Sequence, residues 1–409
     1  MALSRRILLA TAAASAALPL SPARAAQRPL IRLGVLNDQS GVYADDAGPT
    51  SVVCARQAVQ DFGDHGFDVE ILVGDHQNKP DVGASIARQW LDQGGVDAIV
   101  DVPTSSVALA VNTICRERNK VFLNSGAGTA DLTGSQCSLT TIHWTYDTYM
   151  LSNSTGGAMM AAGGDTWFFI TADYVFGQQL DRDTAALVTR RGGKVLGRSA
   201  YPFPDTRDFS SMLVQAQASG AKVLGLANAG ADTINCIKQA HEFGLNSTMK
   251  IAALLGSIND VHTLGLETAQ GLLFTESFYW DLNNRTRAFS ARTRPKLAKP
   301  SQLLNMVAVG NYGSVMHYLK ATADLGPAAA KASGRDVVAR MKAMPTDDDA
   351  FGPGRIREDG RKLHPAYLLQ AKTPQESKND WDLLKLVATT PADQAFRPLA
   401  EGHCSFIKA

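Results

Sequence analysis

Short apolar segments rich in β-branched residues alternate along the chain with segments whose apolar residues recur every three to four positions. The first pattern is typical of buried strands and the second of helices that cover a sheet. The predicted strands are LIRLGVL from Leu30, FDVEILV from Phe67, DAIVDV from Asp97, KVFLNS from Lys120, DTWFFIT from Asp165, KVLG from Lys194, AKVLGLA from Ala221, KIAALL from Lys250 and GLLFTES from Gly271. The predicted helices include TSVVCARQAVQDF, VGASIARQWLDQ, SVALAVNTICRERN, DFSSMLVQAQA and ADTINCIKQAHEFG. This alternation predicts an α/β fold whose doubly wound parallel sheets carry helices on both faces.

The alternation breaks at three places, near residues 140–150, 276–281 and 346–355. Three crossings predict two doubly wound parallel-sheet lobes joined by a three-segment hinge, with a ligand cleft between the carboxyl ends of their strands. We expect lobe 1 to comprise residues 26–146 plus 279–347, and lobe 2 to comprise 147–278 plus 348–409. GRIREDGRKLHPAYLLQAK and DWDLLKLVATTP predict short antiparallel strands, with an Asp-Gly turn, at the edge of the second lobe's sheet.

The first 25 residues have the layout of an export signal. Arg5 and Arg6 precede an Ala/Leu-rich stretch, and Ala23-Arg24-Ala25 is a small-x-small cleavage site. We expect cleavage near Ala25, export by either the Sec or the twin-arginine route, and a mature protein free in the periplasm.

Composition narrows the class of partner. The chain is 45% hydrophobic and 19% charged with a net charge of +1, which is typical of a soluble globular protein and argues against nucleic acid as a partner. The five cysteines show no zinc spacing, and no cofactor motif is present. In an oxidising compartment Cys137 could pair with Cys404 and tie down the C-terminal tail; the alternative is that all five cysteines are buried or free thiols.

Two loops at predicted strand ends carry hydroxyls and small residues. Thr104, Ser105 and Ser106 lie where the third strand meets a helix N-terminus, which offers N–H groups to a carboxylate; ordinary N-capping explains one hydroxyl but not three. The Gly-rich loop after the fourth strand contains Ala127, Gly128 and Thr129. Its small residues would let a ligand approach the backbone closely; the alternative is that the loop only connects the strand to the next element.

Aromatic residues concentrate at strand ends and crossings, where a cleft is expected, and some of them would pack within the hinge. They favour a flat or branched apolar ligand body. The candidates are Tyr43, Trp144, Tyr146, Tyr174 and Phe176. No hydrolase, nucleotide-binding or metalloprotease motif is present.

Several of these segments together resemble type I periplasmic solute-binding proteins of the branched-chain amino acid (leucine/isoleucine/valine-binding) class. The segments are IRLGVLNDQSGVYAD, DVPTSSVALAV, SGAGTADLT, ADYVFG and DFSSMLVQAQASGAKVLGLANAGADTINCIKQAHEFGL. The resemblance covers nearly all of the mature chain. It implies a binding protein without catalytic activity or cofactor, acting as a monomer, that hands a small solute to an ABC permease in the inner membrane.

The resemblance also implies roles for individual residues. Ser105 and Thr129 would donate hydroxyls to a ligand carboxylate, with backbone N–H groups near Ala127 beside them, and Phe176 would be a lid aromatic. In the second lobe, Asn228 and Ala229 of LANAGAD and Leu255 of AALLGS would line the cleft.

At two of these second-lobe positions the chain departs from the amino-acid binders. Ala229 replaces their aromatic residue, and AALLGS replaces the glutamate that pairs with the ligand ammonium. We do not expect Asp232 or Glu276 to substitute for that glutamate, because Asp232 starts a predicted helix and Glu276 lies at a crossing. An unpaired buried ammonium is costly. We therefore expect an aromatic or other apolar organic acid without an α-ammonium.

Other functions stay open at this point. The same module could bind a branched-chain amino acid or an amide, or could sense a ligand for a membrane signalling protein. An exported serine hydrolase is the alternative of another class, but no base is identifiable beside Ser105.

Overall fold

The computed structural model describes residues 28–299 and 301–407. The expected signal peptide, residues 1–25, and its cleavage site near Ala25 lie outside the described residues. The first sheet has five parallel strands in the order β2-β1-β3-β4-β5. These strands are β1 (Leu30–Asn37), β2 (Asp68–Asp75), β3 (Ala98–Asp101), β4 (Val121–Asn124) and β5 (Thr141–His143).

Helices cover both faces of this sheet because its strands are apolar on both sides. Ile31, Leu33 and Val35 belong to one core cluster, and Ile99 and Phe122 belong to another on the opposite face. The helices of this lobe are α1 (Gly48–Phe62), α2 (Pro80–Asp92) and α3 (Ser105–Glu117), and four more helices from residues 284–343 join them.

The second sheet has seven strands in the order β14-β13-β10-β9-β8-β6-β7. Strands β6 to β10 are parallel, and β13 and β14 each pair antiparallel with their neighbours. The parallel strands are β6 (Thr166–Ala172), β7 (Lys194–Tyr201), β8 (Val223–Ala227), β9 (Lys250–Ala253) and β10 (Leu273–Glu276). A separate hairpin contains β11 (Arg355–Ile356) and β12 (Lys362–Leu363), and the sheet ends with β13 (Ala366–Ala371) and β14 (Leu384–Thr390).

The remaining helices follow the same division. Those of the second lobe are α4 (Thr148–Leu151), α5 (Gly157–Ala161), α6 (Val175–Arg190), α7 (Ser210–Ala218), α8 (Ala231–Glu242), α9 (Ile258–Leu264) and α10 (Leu266–Ala269). The chain then returns to the first lobe with α11 (Asn284–Thr293), α12 (Met306–Leu325), α13 (Pro327–Ala332) and α14 (Gly334–Ala343), and α15 (Ala392–Ala395) follows β14.

The expected fold class is confirmed: both sheets repeat the same strand order, with the first strand of each lobe between its second and third. All nine predicted strands form, and β5, a three-residue strand, is an addition. The order reverses next to β1 in one lobe and next to β6 in the other. Loops diverge at such a point and leave a crevice at the carboxyl ends of the strands.

The chain crosses between the lobes after β5, after β10 and again between β12 and β13. The hairpin of β11 and β12 therefore lies beside β5 of the first lobe, whereas β13 and β14 extend the second sheet: the His143 N–H donates to the Gly360 carbonyl at 2.9 Å. The buried Arg361 side chain reinforces this contact by donating to the carbonyl of His143 at 2.6 Å.

The C-terminal tail after β14 returns to the first lobe. Cys404 forms a disulfide with Cys137, and the Arg397 guanidinium donates to the Ala130 carbonyl at 3.0 Å. The other cysteines, Cys54, Cys115 and Cys236, are buried free thiols. No helix in residues 28–299 and 301–407 is both long and apolar enough for a membrane span.

Candidate functional site

A cavity with an empty volume of about 480 Å³ lies between the two lobes. Its walls come from the loops at the carboxyl ends of the strands, where the reversed strand order predicts a ligand crevice. The first lobe contributes Tyr43, Asp46, Ala47, Pro103, Gly126, Tyr146, Asn305, Met306 and Val307. The second lobe contributes Tyr174, Phe176, Ala229, Gly230, Leu255, Gly256, Ser257, Asp260 and Glu276.

The cavity is closed on one side by aromatic side chains from both lobes. The hydroxyl oxygens of Tyr43 and Tyr174 are 2.5 Å apart, and the Phe203 ring stacks on Tyr174 with centroids separated by 4.2 Å. Beside them, the Ala231 N–H donates across the cleft to the Val42 carbonyl at 3.1 Å. The structure is therefore that of the closed molecule, with the lobes in direct contact.

Asp38 holds the loop that presents Tyr43. Its carboxylate accepts from the Gly41 N–H at 2.6 Å, from the Tyr43 N–H at 2.9 Å and from the Asn78 amide at 2.6 Å. The Thr104 hydroxyl in turn donates to the Asn78 side chain. Thr104 is fully buried and does not line the cavity, so in the closed molecule its hydroxyl positions the Tyr43 loop.

The start of α3 follows closely after Pro103, a residue of the cavity wall, in the chain. Thr104 occupies the N-cap position but makes no capping hydrogen bond with its side chain. The Ser105 hydroxyl is buried and has no hydrogen-bond partner among the described residues, and Ser106 is partly exposed. Neither serine lines the cavity, whereas Pro103, two residues before Ser105, does.

The Gly-rich loop after β4 is organised by hydrogen bonds within itself. The Asn124 side chain accepts from the Ala127 N–H at 3.2 Å and donates to the Ala127 carbonyl at 2.8 Å. The Thr129 hydroxyl accepts from the Asp131 N–H at 3.3 Å. A Cβ at Gly128 would lie 2.8 Å from the rings of Phe176 and Tyr146. Gly128 therefore packs against the aromatic wall, and neither it nor Ala127 and Thr129 lines the cavity.

Two further candidates lie away from the cavity. Trp144 is fully buried in the hinge beside His317 and Lys362. The Asn228 side chain accepts from the Thr233 hydroxyl at 2.7 Å and so shapes the turn before α8. The candidates that the structure brings together in the cavity wall are Tyr43, Tyr146, Tyr174, Phe176, Ala229 and Leu255.

Three carboxyl groups also line the cavity, and sequence reasoning did not place them there. The three are Asp46, Asp260 and Glu276. The sequence pattern puts Glu276 at a crossing between the lobes and gives no signal for Asp260. Each has a local partner: Asp46 accepts from the Ser257 hydroxyl at 2.7 Å, and Glu276 accepts from the Met306 N–H at 2.8 Å. The signal available for Asp46 was its place just after Tyr43, in the loop that follows the first strand.

The pKa values of these three groups are raised. Burial, followed by the neighbouring charge of Asp45, raises the pKa of Asp46 to about 6. Burial raises the pKa of Asp260 well above its ordinary value, and the charge of Asp46 adds to this. Burial likewise raises the pKa of Glu276. The cavity wall therefore favours protonated carboxyls when no positive charge is present.

Comparisons with known proteins place the fold in a family. The family model described as periplasmic binding protein matches residues 30–379. No curated protein sequence matches the chain well enough to count as a relative. A crystal structure of a periplasmic binding protein from Burkholderia mallei is 45% identical, with a TM-score of 0.87, and the alignment covers 92% of this chain and 99% of that one.

Two further structures extend the comparison. A branched chain amino acid ABC transporter periplasmic ligand-binding protein from Burkholderia xenovorans is 37% identical, with a TM-score of 0.79 and coverage of 92% and 99%. A Rhodopseudomonas palustris solute-binding protein of an ABC transporter, solved with benzoate, is 19% identical with a TM-score of 0.79 and the same coverage; it shares the fold. The family match and these identities over nearly the whole chain show that the protein belongs to the periplasmic binding protein family.

Proposed function

We propose that this protein is the solute-binding component of an ABC importer. It captures a small organic solute that carries a carboxylate and an apolar or aromatic body, closes its lobes on the solute, and presents the closed complex to a permease in the inner membrane. The observation that carries the proposal is the cavity between the lobes. Loops at the carboxyl ends of both parallel sheets form its wall, and Tyr43, Tyr146, Tyr174 and Phe176 contribute aromatic rings to it.

The start of α3 supports the proposal that the solute carries a carboxylate. Free N–H groups and the positive end of a 13-residue helix favour an anion there, and the Ser105 hydroxyl is a buried donor that lacks a partner. Ser105 follows Pro103 by two residues in the chain, and Pro103 lines the cavity. Structures of this fold solved with benzoate or 4-hydroxybenzoate show that the fold accommodates such acids.

Closure supports the transport role, because closure gives the permease a signal that depends on the ligand. We propose that the protein acts as a monomer in the periplasm after export and performs no chemistry. The candidate nucleophile is Ser105, whose hydroxyl makes no hydrogen bond to any described residue. The alternative of a serine hydrolase therefore lacks its general base.

A thermal-shift panel on the purified protein tests the proposal. Aromatic and aliphatic carboxylates should raise the melting temperature, because a ligand at one hundred times its dissociation constant adds about 2.7 kcal/mol of stability. Ser105→Ala should weaken binding of the most stabilising acid by about 1–3 kcal/mol, whereas the matched control Ser106→Ala should not. A panel in which no carboxylate stabilises the protein would overturn the proposal.

A second candidate function is binding of a branched-chain amino acid or an amide. One observation favours it: Asp46, Asp260 and Glu276 offer acceptors for a ligand N–H inside the same cavity.

A further inference from the structure

We propose that Gln179 and Asp131 form a latch that holds the two lobes closed, and that the disulfide-linked C-terminal tail positions Asp131 for this contact. The inference rests on the proposed function, because closure of the lobes is the step that captures the solute. It goes beyond that function in assigning a role to residues that do not line the cavity.

The latch is a direct hydrogen bond between the lobes. Gln179 belongs to α6 of the second lobe, and Asp131 lies in a short 3-10 helix, Ala130–Thr133, after β4 of the first lobe. The Gln179 amide donates from Nε2 to Asp131 Oδ2 at 2.7 Å. Neither side chain makes another hydrogen bond in the described part of the chain. The contact therefore belongs to the closed molecule and has no counterpart within either lobe.

The latch and the cavity wall share one face of α6. Phe176, which lines the cavity, precedes Gln179 by three residues, and residues at this spacing lie on the same side of a helix. On the first lobe, Gly128 packs against the Phe176 ring and precedes Asp131 by three residues. The movement that brings Phe176 towards the solute therefore also brings Gln179 to Asp131.

Burial makes the Asp131 acceptor important to the closed molecule. Gln179 is 7% exposed, and its Oε1 is buried without a hydrogen-bond partner among the described residues. Removing an amide from water is costly unless it is hydrogen-bonded. The bond to Asp131 offsets part of that cost, so removing the acceptor should destabilise the closed state more than the open one.

The tail holds the segment that carries Asp131, residues 129–137, at three points. Cys137 is linked to Cys404, and the Arg397 guanidinium donates to the Ala130 carbonyl at 3.0 Å. Between these points the tail passes so close to Gly134 that a Cβ there would lie 2.7 Å from a carbonyl oxygen of the tail. The position of the Asp131 segment is therefore fixed by a part of the chain that follows the last strand of the second lobe.

A purely stabilising role for the tail is the competing explanation. Phe396 is 3% exposed and packs under the Arg361 guanidinium, 4.5 Å from its ring centroid, so part of the tail is anchored without the disulfide. Loss of the disulfide should therefore loosen the Asp131 segment while the first lobe stays folded. A stabilising role predicts unchanged ligand affinity in that state, whereas the latch predicts weaker binding.

A double-mutant cycle tests the latch. We would titrate benzoate, 4-hydroxybenzoate and leucine into the wild type by calorimetry and use the tightest binder as the probe. Gln179→Ala and Asp131→Ala should each weaken its binding roughly 5- to 30-fold, and the double variant should bind no more weakly than either single variant. Gln178→Ala is the matched control, because the Gln178 amide donates to Asp173 within its own lobe at 2.8 Å; its affinity should equal that of the wild type.

Exchanging donor and acceptor across the cleft distinguishes a latch from two separate structural roles. Gln179→Glu should weaken binding, because two carboxylates would then face each other. Adding Asp131→Asn to this variant should restore the affinity, because the new amide can donate to the new carboxylate. A structural role of either residue within its own lobe gives no such rescue.

Reduction tests the part played by the tail. In reduced wild type and in the Cys137→Ser/Cys404→Ser variant, amide hydrogen exchange of residues 130–137 should become faster and the probe should bind more weakly. This loss of affinity should be absent when the protein also carries Gln179→Ala, because the latch is already broken. Reducing agent should leave the double serine variant unchanged, since Cys54, Cys115 and Cys236 are free thiols already.

Additive losses in the cycle, absence of rescue in the exchanged pair, or reduction that speeds exchange of residues 130–137 without weakening the probe would each overturn this inference and leave the proposed function standing. If neither the three probes nor any carboxylate of the thermal-shift panel binds the wild type, the proposed function fails and this inference fails with it.

Discussion

Gly230 lies where the second lobe packs against the backbone of the first. Its backbone has φ 59° and ψ −134°, a conformation that favours glycine, and an added Cβ would lie 2.4 Å from the Val42 carbonyl oxygen across the cleft. Ordinary contact begins near 3.4 Å. In Gly230→Ala the lobes must therefore separate by about 1 Å at this point, or the loop must distort.

The size of the expected loss of ligand affinity follows from the contacts between the lobes that such a separation would break. The Ala231 N–H donates to Val42 at 3.1 Å, and the Tyr43 and Tyr174 hydroxyls are 2.5 Å apart. An extra 1 Å takes the first beyond hydrogen-bonding distance and weakens the second. Losing one or two such bonds removes about 1–3 kcal/mol from the closed state. Affinity for the most stabilising carboxylate should therefore fall roughly 5- to 150-fold.

Gly220→Ala is the matched control. Gly220 also has a positive φ, 67°, but a Cβ there would meet nothing within 4 Å. Both variants should lose stability through backbone strain of about 1–3 kcal/mol. Only Gly230→Ala should lose affinity by calorimetry and show a larger radius of gyration by X-ray scattering when ligand is present. Equal affinities and equal radii for the two variants would refute the view that the lobes close on each other at this residue.

Two further predictions concern stability. Replacing both Cys137 and Cys404 by serine should lower the free energy of unfolding by about 2–5 kcal/mol, because the disulfide spans 267 residues. Denaturant titration would measure this loss. As a control, reducing agent should destabilise the wild type but not the variant. Burial raises the pKa of Asp46 from 3.8 to about 6, so the folded protein without ligand binds this proton more tightly than the unfolded chain does. The protonated carboxyl therefore stabilises the folded state near pH 4, and this contribution to the free energy of unfolding is lost as pH rises through 6. Asp46→Asn should therefore gain up to ~3 kcal/mol relative to the wild type between pH 4 and pH 7, and a stability difference that does not change with pH would contradict the assigned pKa.

Elements whose residues are buried on both faces could be predicted from the sequence. All four residues of β3 and all four of β4 are buried, and each strand begins with three consecutive apolar residues, 98–100 and 121–123, that are visible in the sequence as a short apolar run. The strand β5 has only three residues, Thr141 to His143, and two of them are polar, so its pattern was too short to detect. The antiparallel strands after residue 347 were predicted at the edge of the second lobe's sheet, which is correct for β13 and β14 and wrong for β11 and β12. The hairpin of β11 and β12 lies beside β5 of the first lobe, whose residues come more than 200 positions earlier in the chain.

Some residues of the candidate site could also be predicted from the sequence, and others could not. Aromatic residues at strand ends could be predicted as cavity walls, because parallel strands direct their carboxyl ends to one edge. The hydroxyl of Thr104 could not be assigned, since its partner Asn78 is 26 residues away on another loop. The three carboxyls come from the β1 loop, α9 and the end of β10, and they share one cavity only because the lobes close.

A crystal structure of the protein with its most stabilising carboxylate tests the central claim most directly. The account predicts that the solute lies between the lobes against Tyr146 and Tyr174, with its carboxylate within hydrogen-bonding distance of Ser105 or the first N–H groups of α3. A solute bound outside this cavity, or one in the cavity whose carboxylate has no contact with the start of α3, would contradict the account.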